Sequence, residues 1–280
     1  MITPMGEAEG VAVQAWDGVE VKASDRLEQL ERAIAVLQSF DRDHPALTVS
    51  DAARITHISR AAARRILLTF QSLGLVRSDG RNYSLTPKVL SIGWDYFATL
   101  GLDEVARPII ADVVARLDQT CSVTILDLPD IVFVARVHSR KITALSGGVG
   151  SKLPAQATAN GRALMSGLED AQIDEYLERN PLVRYTDRTI VDIAKFRDEL
   201  SAVREQGWSI VDQEMEVGLL ALAIPLEGKY GETRAALGVS SNTLHSSREE
   251  LLDVSLPVLQ EAGQQISVAL SRSDHRGPFA

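Results

Sequence analysis

The sequence predicts an α+β protein in two parts: a small N-terminal helical module ending in a hairpin, and a larger domain built on an antiparallel sheet. Two observations lead to this prediction. Over residues 26–119, apolar residues recur at three- and four-residue steps, as in amphipathic helices, with a hairpin signal between 75 and 85. From Cys121 onward, β-branched runs lie at both ends of the remaining chain, with helical patterns between and after them.

Length and composition limit the class of protein. The 280 residues allow two domains, and 45% hydrophobic residues can form a substantial core. A single cysteine, Cys121, allows no internal disulfide, so we expect a cytoplasmic protein. The longest apolar run, 219–226, is far shorter than the roughly 20 residues of a membrane span, so no membrane partner is expected. Residues 1–24 lack a secretory pattern and are interpreted as a disordered leader, and 273–280 as a flexible tail.

The charge is unevenly distributed along the chain. Residues 54–88 contain seven basic side chains and one acidic one, a local charge of +6. The whole chain carries −9, which leaves −15 on the rest. One basic module attached to an acidic body is typical of a protein in which a single part contacts a polyanion.

The helices of the basic module follow in order. Residues 26–40 form the first amphipathic pattern. Thr48 is predicted to cap a short second helix, and Ser59 to cap a third one. Gly74 ends that third helix.

The third helix has two different sides. Its apolar side is predicted to comprise Ala62, Ala63, Ile66, Phe70 and Leu73. Its opposite side carries Arg60, Ala61, Arg64 and Arg65. Because the planar guanidinium bonds guanine edges or phosphate, this side is predicted to enter the major groove of DNA rather than to form a merely solvated face. Arg60 and Ala61 are expected to contact bases, and Arg65 the backbone.

A hairpin completes the module. Two short β-prone runs, 75–77 and 82–85, flank the turn sequence Ser-Asp-Gly-Arg. Arg77 and Arg81 bracket the turn and are expected to contact phosphate. The order of helices, turn and hairpin predicts a winged helix-turn-helix over 25–87 with double-stranded DNA as partner. The predicted DNA-contacting residues are Thr48, Ser59, Arg60, Ala61, Arg64, Arg65, Arg77 and Arg81.

The remaining elements are predicted from the same patterns. A helix over 88–102 is expected to link the domains, and another follows over 103–119. Strands are expected at 121–128, 131–138, 142–145, 208–212, 219–226 and 233–240. Helices are expected at 157–168, 171–178, 194–206 and 247–270.

The C-terminal part offers weaker chemical signals, so alternatives remain open. Asp212, Glu214 and Glu216 alternate, which on an extended segment permits a metal or acid–base site, but solvated acids are commoner. A hydrolase or metal-dependent enzyme with a nucleic-acid-binding appendage is the alternative function. The glycine-rich stretch 147–152 does not match a phosphate loop. Arg136, inside a β-branched run, is expected either to pair with a ligand carboxylate or to form an internal salt bridge. No catalytic residue, metal ligand or cofactor is predicted.

Several motifs in order carry a family resemblance. They are Ser59–Arg65, Leu75–Arg81, Ser84–Leu90, Ile131–Val137, Gly148–Ala155 and Gly207–Leu219. Over about residues 25–270 the chain resembles the IclR family of bacterial transcriptional regulators, and most of all its subgroup that controls the catabolism of aromatic acids such as protocatechuate and 4-hydroxybenzoate.

The resemblance implies a winged helix, a linker helix used in dimerisation over 88–102, and a profilin/GAF-like effector domain over 103–272. It implies homodimers, paired in some members into tetramers, on a palindromic operator. It also implies a small carboxylate effector, either an aromatic acid or a ring-cleavage product, that modulates DNA binding in a catabolic operon.

The resemblance also locates an effector pocket. The positions it implies are Leu153, Ala159, Asn160, Gly161, Asp212, Gly238 and Ser240, to which Arg136 is added from its place in the β-branched run. Where the family often has a serine or cysteine in the late strands, this chain has Gly238 and Ala221. These small residues are expected to open space for a ring rather than for a two-carbon acid.

Overall fold

A computed structural model describes residues 22–41, 43–93, 102–139 and 147–272. The chain divides into two compact units, Met1–Asp95 and Tyr96–Ala280. Most of the predicted leader, much of the predicted linker 88–102, the predicted strand 142–145 and the tail 273–280 lie outside the described residues. Within the described ranges, no helix is long and apolar enough to cross a membrane.

The N-terminal unit is built from helices and a small sheet. The helices are α1 (Glu28–Gln38), α2 (Val49–Ile55) and α3 (Arg60–Ser72), with single 3₁₀ turns at Ala23–Asp25 and Pro87–Val89. The strands are β1 (Leu47–Thr48), β2 (Val76–Ser78) and β3 (Asn82–Leu85), in the antiparallel order β1-β3-β2. The two-residue strand β1 was not predicted, because so short a run has no periodicity.

The buried side of α3 differs from the prediction. Ala63, Leu67 and Phe70 are buried, whereas Leu73 is 53% exposed. Leu73 is the C-cap residue, where the helical spacing ends. The buried side of α3 is therefore centred on Leu67, a residue that the predicted apolar side did not include.

In its described residues, the C-terminal unit forms a six-stranded antiparallel sheet with helices. Its helices are α4 (Leu102–Leu117), α5 (Ala159–Met165), α6 (Asp170–Arg179), α7 (Ile193–Gln206) and α8 (Leu256–Arg272). Its strands are β4 (Thr120–Asp127), β5 (Asp130–Val137), β6 (Lys152–Pro154), β7 (Ser209–Asp212), β8 (Leu219–Glu227) and β9 (Thr233–Asn242), in the order β6-β5-β4-β9-β8-β7. A short helical turn, Arg248–Glu250, and a π-helical turn, Leu251–Ser255, precede α8, where one continuous helix was predicted.

The two faces of this sheet pack against different helices. On one face, side chains such as Val123 and Leu237 join a core with residues of α4 and α8. On the other face, Phe133 and Ala236 join a core with α5, α6 and α7. We call the second face the inner face. It carries small side chains on the two central strands, which leaves room beneath α5.

Candidate DNA-binding surface and ligand cavity

Two of the predicted DNA contacts fix the starts of helices. The Ala62 N–H donates to Ser59 Oγ at 3.2 Å, at the start of α3. Thr48 Oγ1 accepts the Asp51 N–H at 3.2 Å, while the Asp51 carboxylate accepts the Thr48 N–H at 3.1 Å. This reciprocal capping box satisfies amides that would otherwise lack partners at the start of α2. Both residues therefore orient the helix-turn-helix, whatever else they contact.

The predicted DNA-facing side of α3 is accessible. Arg60, Ala61, Arg64 and Arg65 are all exposed. In the described part of the chain, none of the three guanidinium groups forms an ion pair or a side-chain hydrogen bond. Because the opposite side of α3 packs into the core through Leu67 and Phe70, the helix presents cationic groups outward from a fixed backbone.

In the hairpin between β2 and β3, the carboxylate of Asp79 is hydrogen-bonded within the turn. Asp79 Oδ1 accepts the Arg81 N–H at 2.9 Å and the Asn82 N–H at 2.7 Å. These backbone hydrogen bonds lower the pKa of Asp79 to about 2. Arg77 and Arg81 are exposed, and neither forms an ion pair with any described residue. The wing therefore adds two cationic side chains to the same unit.

The turn between α2 and α3 contains a strained residue. His57 has φ +53°, a left-handed conformation that favours glycine. The Ile58 N–H donates back to Ala53 O at 3.1 Å, which closes the end of α2 around this residue. The His57 side chain is exposed.

A cavity lies on the inner face of the C-terminal sheet, beneath the first turn of α5. Five of the predicted effector residues line it, namely Arg136, Leu153, Ala159, Asn160 and Ser240. The lining also includes residues that the prediction did not select, among them Ser122, Ile131, Phe133, Val211 and Leu219. Only the pairing of the strands reveals these residues, because they come from β4, β5, β7 and β8.

A β-bulge brings Arg136 into the cavity. The pairing of β4 with β5 shifts between Val123 and Thr124, so that Val134 is an extra residue on β5. Phe133 and Arg136 therefore share the inner face, and the Arg136 guanidinium carbon lies 4.4 Å from the Phe133 ring centroid. Arg136 is 9% exposed, and burial lowers the pKa of its guanidinium because the charged form loses water.

Neutral polar groups complete the lining. The hydroxyl groups of Ser122 and Ser240 have no hydrogen-bond partner among the described residues. The cavity therefore combines apolar walls with one buried cation and a few hydroxyl and amide groups. This is the chemistry of a site for a small organic anion.

Three predicted effector residues do not line the cavity. A Cβ atom at Gly161 would lie 2.1 Å from the Ala155 carbonyl oxygen, so this glycine allows close packing of α5. A Cβ atom at Gly238 would lie 2.2 Å from Asn160 Oδ1. The space that Gly238 was expected to open for a ligand is thus filled by Asn160, and that expectation is corrected. Ala221, in contrast, does line the cavity.

Asp212 and Glu214 form ion pairs elsewhere. Asp212 Oδ2 accepts from Arg188 Nη1 at 2.5 Å at the edge of the sheet. The strand ends at this residue, and Gln213 has φ +60°, so the expected extended segment with three aligned acids does not form. Among the described residues, no group of three or more His, Cys, Asp or Glu side chains is arranged to hold a metal ion.

Glu214 instead forms a buried ion pair. Its carboxylate accepts from Arg162 Nη1 at 2.7 Å and from Nη2 at 2.5 Å. The Arg162 Nε–H donates to Gln156 O at 3.1 Å, and the Ile190 N–H donates to Glu214 Oε2 at 3.0 Å. Arg162 is 0% exposed. This pair ties α5 to the connection between β7 and β8, and no sequence pattern indicated it.

Comparison with known proteins places both units in one family. The model of the IclR helix-turn-helix domain matches residues 29–80. The model of the bacterial transcriptional regulator IclR C-terminal domain matches residues 95–268.

Individual relatives agree with this match. The Pca regulon regulatory protein of Pseudomonas putida is 35% identical over 267 residues, which covers 95% of this chain and 90% of the relative. A solved transcriptional regulator from Rhodococcus sp. RHA1 is 39% identical with a TM-score of 0.78, covering 88% of this chain and 99% of that one. The inducer-binding domain of PobR from Acinetobacter, solved as a double mutant with 3-hydroxybenzoic acid, is 32% identical with a TM-score of 0.56; the match covers 59% of this chain and 97% of that one. The chain belongs to the IclR family and is a transcriptional regulator rather than an enzyme.

Proposed function

We propose that this regulator controls a catabolic operon and responds to a small aromatic carboxylate bound in the inner-face cavity. The observation that carries the proposal is the position of Arg136, a buried cation stacked on Phe133 in an otherwise largely apolar cavity. The names of two similar proteins point the same way, since one acts on a Pca regulon and the other was solved with 3-hydroxybenzoic acid.

The chemistry of the cavity suits an aromatic acid. Burial lowers the pKa of the Arg136 guanidinium, and a carboxylate in the cavity would favour its charged form through charge-assisted hydrogen bonds. The side chains of Ile131, Leu153 and Leu219 offer apolar contacts to a ring. The proposed effector-contacting set is therefore Arg136, Leu153, Ala159, Asn160 and Ser240.

The DNA-binding side of the proposal uses two copies of α3. A palindromic operator presents two half-sites about one helical turn apart, so two recognition helices must be held at that spacing. We propose a homodimer in which the apolar stripe at α1, formed by the N-cap residue Leu27 with Leu30 and Ile34, packs against a second copy. These side chains are 71%, 59% and 40% exposed and recur at three- and four-residue steps. The protein acts where its operator is, in the cytoplasm.

Regulation requires that the effector distinguish two arrangements of the dimer. A ligand shifts that equilibrium only by its difference in affinity for the two arrangements. We therefore propose that an aromatic acid changes operator affinity without being consumed.

The effector proposal is tested by ligand-dependent operator binding. Fluorescence anisotropy of a labelled operator is measured against increasing benzoate and hydroxybenzoates, with recovery of unchanged ligand checked by chromatography. We expect an aromatic acid to change operator affinity and to raise Tm. Arg136→Met is expected to weaken ligand binding at least about tenfold, because a charge-assisted hydrogen bond is lost.

The control is Arg188→Met, since Arg188 is 57% exposed on its side chain and pairs with Asp212 outside the cavity. Equal affinities of the Arg136 and Arg188 variants for the effector would show that Arg136 does not contact it. A response confined to small aliphatic keto acids would contradict the aromatic class.

The dimer proposal has its own test. Leu30→Glu places a charge on the α1 stripe and is expected to shift sedimentation velocity toward the monomer. Leu244→Glu, at a side chain that is 86% exposed in the C-terminal unit, is the matched control. A dimer that persists in the Leu30 variant would place the interface elsewhere.

A further inference from the structure

We infer that the carboxamide oxygen of Asn160 accepts a hydrogen bond from a hydroxyl group on the effector. The cavity then binds hydroxylated aromatic acids more tightly than unsubstituted ones. This inference rests on the proposed function and assigns the specificity-determining residue of the same site. It is carried by the fixed orientation of one amide, by the glycine beneath it and by the row of residues that joins it to Arg136.

The sheet fixes which way the amide points. Asn160 Nδ2 donates to Thr124 Oγ1 at 3.0 Å and to the Ala236 carbonyl oxygen at 3.4 Å. A backbone carbonyl only accepts hydrogen bonds, so the amide nitrogen must face Ala236. The amide oxygen, Oδ1, therefore faces away from these two partners.

Gly238 provides the space in which that oxygen lies. A Cβ atom at Gly238 would be 2.2 Å from Oδ1, closer than to any other atom of Asn160. The amide oxygen thus lies directly over β9 on the inner face, where any side chain larger than hydrogen would displace it. The glycine is explained by this close approach rather than by its conformation.

The amide oxygen has no hydrogen-bond donor among the described residues. Asn160 is 8% exposed and lines the cavity. No N–H or O–H group of the described residues donates to its Oδ1. Because this acceptor would lose contact with water when a ligand fills the cavity, a ligand that supplies an O–H group gains more than one that presents only carbon.

Arg136 and Gly238, which lies beneath Asn160 Oδ1, are at opposite ends of one row across the sheet. Arg136 on β5 pairs with Ser122 on β4, and Ser122 pairs with Gly238 on β9. Two strand spacings separate the ends of this row, roughly 10 Å. A ligand with its carboxylate at Arg136 therefore extends along the row toward the oxygen above Gly238, where a ring hydroxyl in the meta or para position donates to it.

The test compares ligands that differ by one hydroxyl group. Benzoate, 3-hydroxybenzoate and 4-hydroxybenzoate are titrated calorimetrically into the full chain and into variants. For the unmodified chain, we expect at least one hydroxybenzoate to bind about tenfold more tightly than benzoate, or better. Asn160→Leu removes the acceptor at similar volume and is expected to bring that ratio close to one while benzoate still binds.

A second variant guards against a folding defect in the first. Thr124→Val keeps the side-chain volume but removes the hydroxyl that holds the amide nitrogen, so the amide is free to turn. We expect the ratio to fall at least about threefold. Asn180→Leu, at the end of α6 and outside the cavity, is the matched control and is expected to keep the ratio.

The outcomes separate this inference from the proposed function. Equal affinities of the unmodified chain for benzoate and both hydroxybenzoates would overturn the role of Asn160 and leave the aromatic effector in place. An unchanged ratio in both the Asn160 and Thr124 variants would overturn it as well. No binding of any of the three acids would overturn the proposed function together with the inference.

Discussion

The arginines of α3 and the wing differ from several arginines of the C-terminal unit in what satisfies their charge. In the C-terminal unit, Arg162 binds Glu214 in the core, and surface arginines such as Arg188 and Arg197 pair with neighbouring carboxylates. In the helix-turn-helix and wing, the guanidinium groups of Arg60, Arg64, Arg65, Arg77 and Arg81 point outward with no ion pair among the described residues.

This difference shows that amino-acid composition alone does not indicate whether an arginine stabilises the fold or binds a partner. Arginines that stabilise a domain are recognised by the carboxylates folded against them. Arginines that recognise a polyanion have no carboxylate folded against them. In the wing, the nearest acid is Asp79, and its carboxylate accepts hydrogen bonds from backbone amides of its own turn. The four predictions below test this contrast.

The largest effect is expected from breaking the buried pair. Glu214→Leu leaves Arg162 charged and buried without its main carboxylate, which is expected to lower the free energy of unfolding by about 3–5 kcal/mol. Urea unfolding followed by circular dichroism measures this loss. Asp212→Asn breaks the exposed pair with Arg188 and is the control, with an expected loss of about 1 kcal/mol or less. Similar losses in the two variants would show that burial does not distinguish these pairs.

Removing unpaired arginines is expected to affect binding instead of folding. The double variant Arg60→Ala and Arg64→Ala is expected to weaken operator binding by roughly 2 kcal/mol or more, and to reduce its salt dependence, because base and phosphate contacts are both lost. Arg32→Ala removes an exposed arginine that pairs with Glu28 on α1, and is expected to leave both quantities nearly unchanged. Operator affinity that stays intact in the double variant would refute the role of α3.

A smaller effect is expected at the strained turn. His57→Gly relieves the positive φ and is expected to raise the free energy of unfolding by up to about 1 kcal/mol, because glycine adopts this conformation without a steric cost. His57→Ala keeps the strain and is the matched control. Denaturant unfolding of the two variants gives the comparison, and a glycine variant less stable than the alanine one would contradict this account of the turn.

The smallest effect is expected in the wing at low pH. Because the folded-state pKa of Asp79 is lowered from 3.8 to about 2, its ionised form stabilises the turn. That contribution is fully present above about pH 4 and is lost as the pH falls toward 2. NMR chemical shifts of the Asn82 amide are expected to report this titration, and Asp79→Asn is expected to abolish it. A midpoint near 4 in the unmodified chain would show that the turn does not hold the carboxylate.

Much of the N-terminal unit was predictable, because its information is local. The caps Thr48 and Ser59 and the wing turn each depend on residues a few positions apart. The family resemblance and most of the order of strands and helices in the C-terminal unit were likewise predictable from motifs and periodicity. Strand β6 was not predicted, because its three residues are too few to show periodicity.

The cavity was only partly predictable, because it depends on contacts between distant strands. Arg136 shares a face with Phe133 only because of the bulge at Val134, and simple alternation would have separated them. Gly238 was interpreted as open space, but its neighbour Asn160, which fills that space, lies 78 positions away in the sequence. The same limit applies to the buried ion pair of Arg162 and Glu214.

The burial of the single cysteine has a practical consequence. Cys121 is 0% exposed, and burial raises the pKa of its thiol, so maleimide reagents will leave it unmodified in the folded protein. A cysteine introduced at Gln71, an exposed residue of α3 outside the predicted DNA contacts, would therefore be the one labelled position on each copy. Spin labels at that position would report the distance between the two copies of α3 on an operator before and after addition of an aromatic acid.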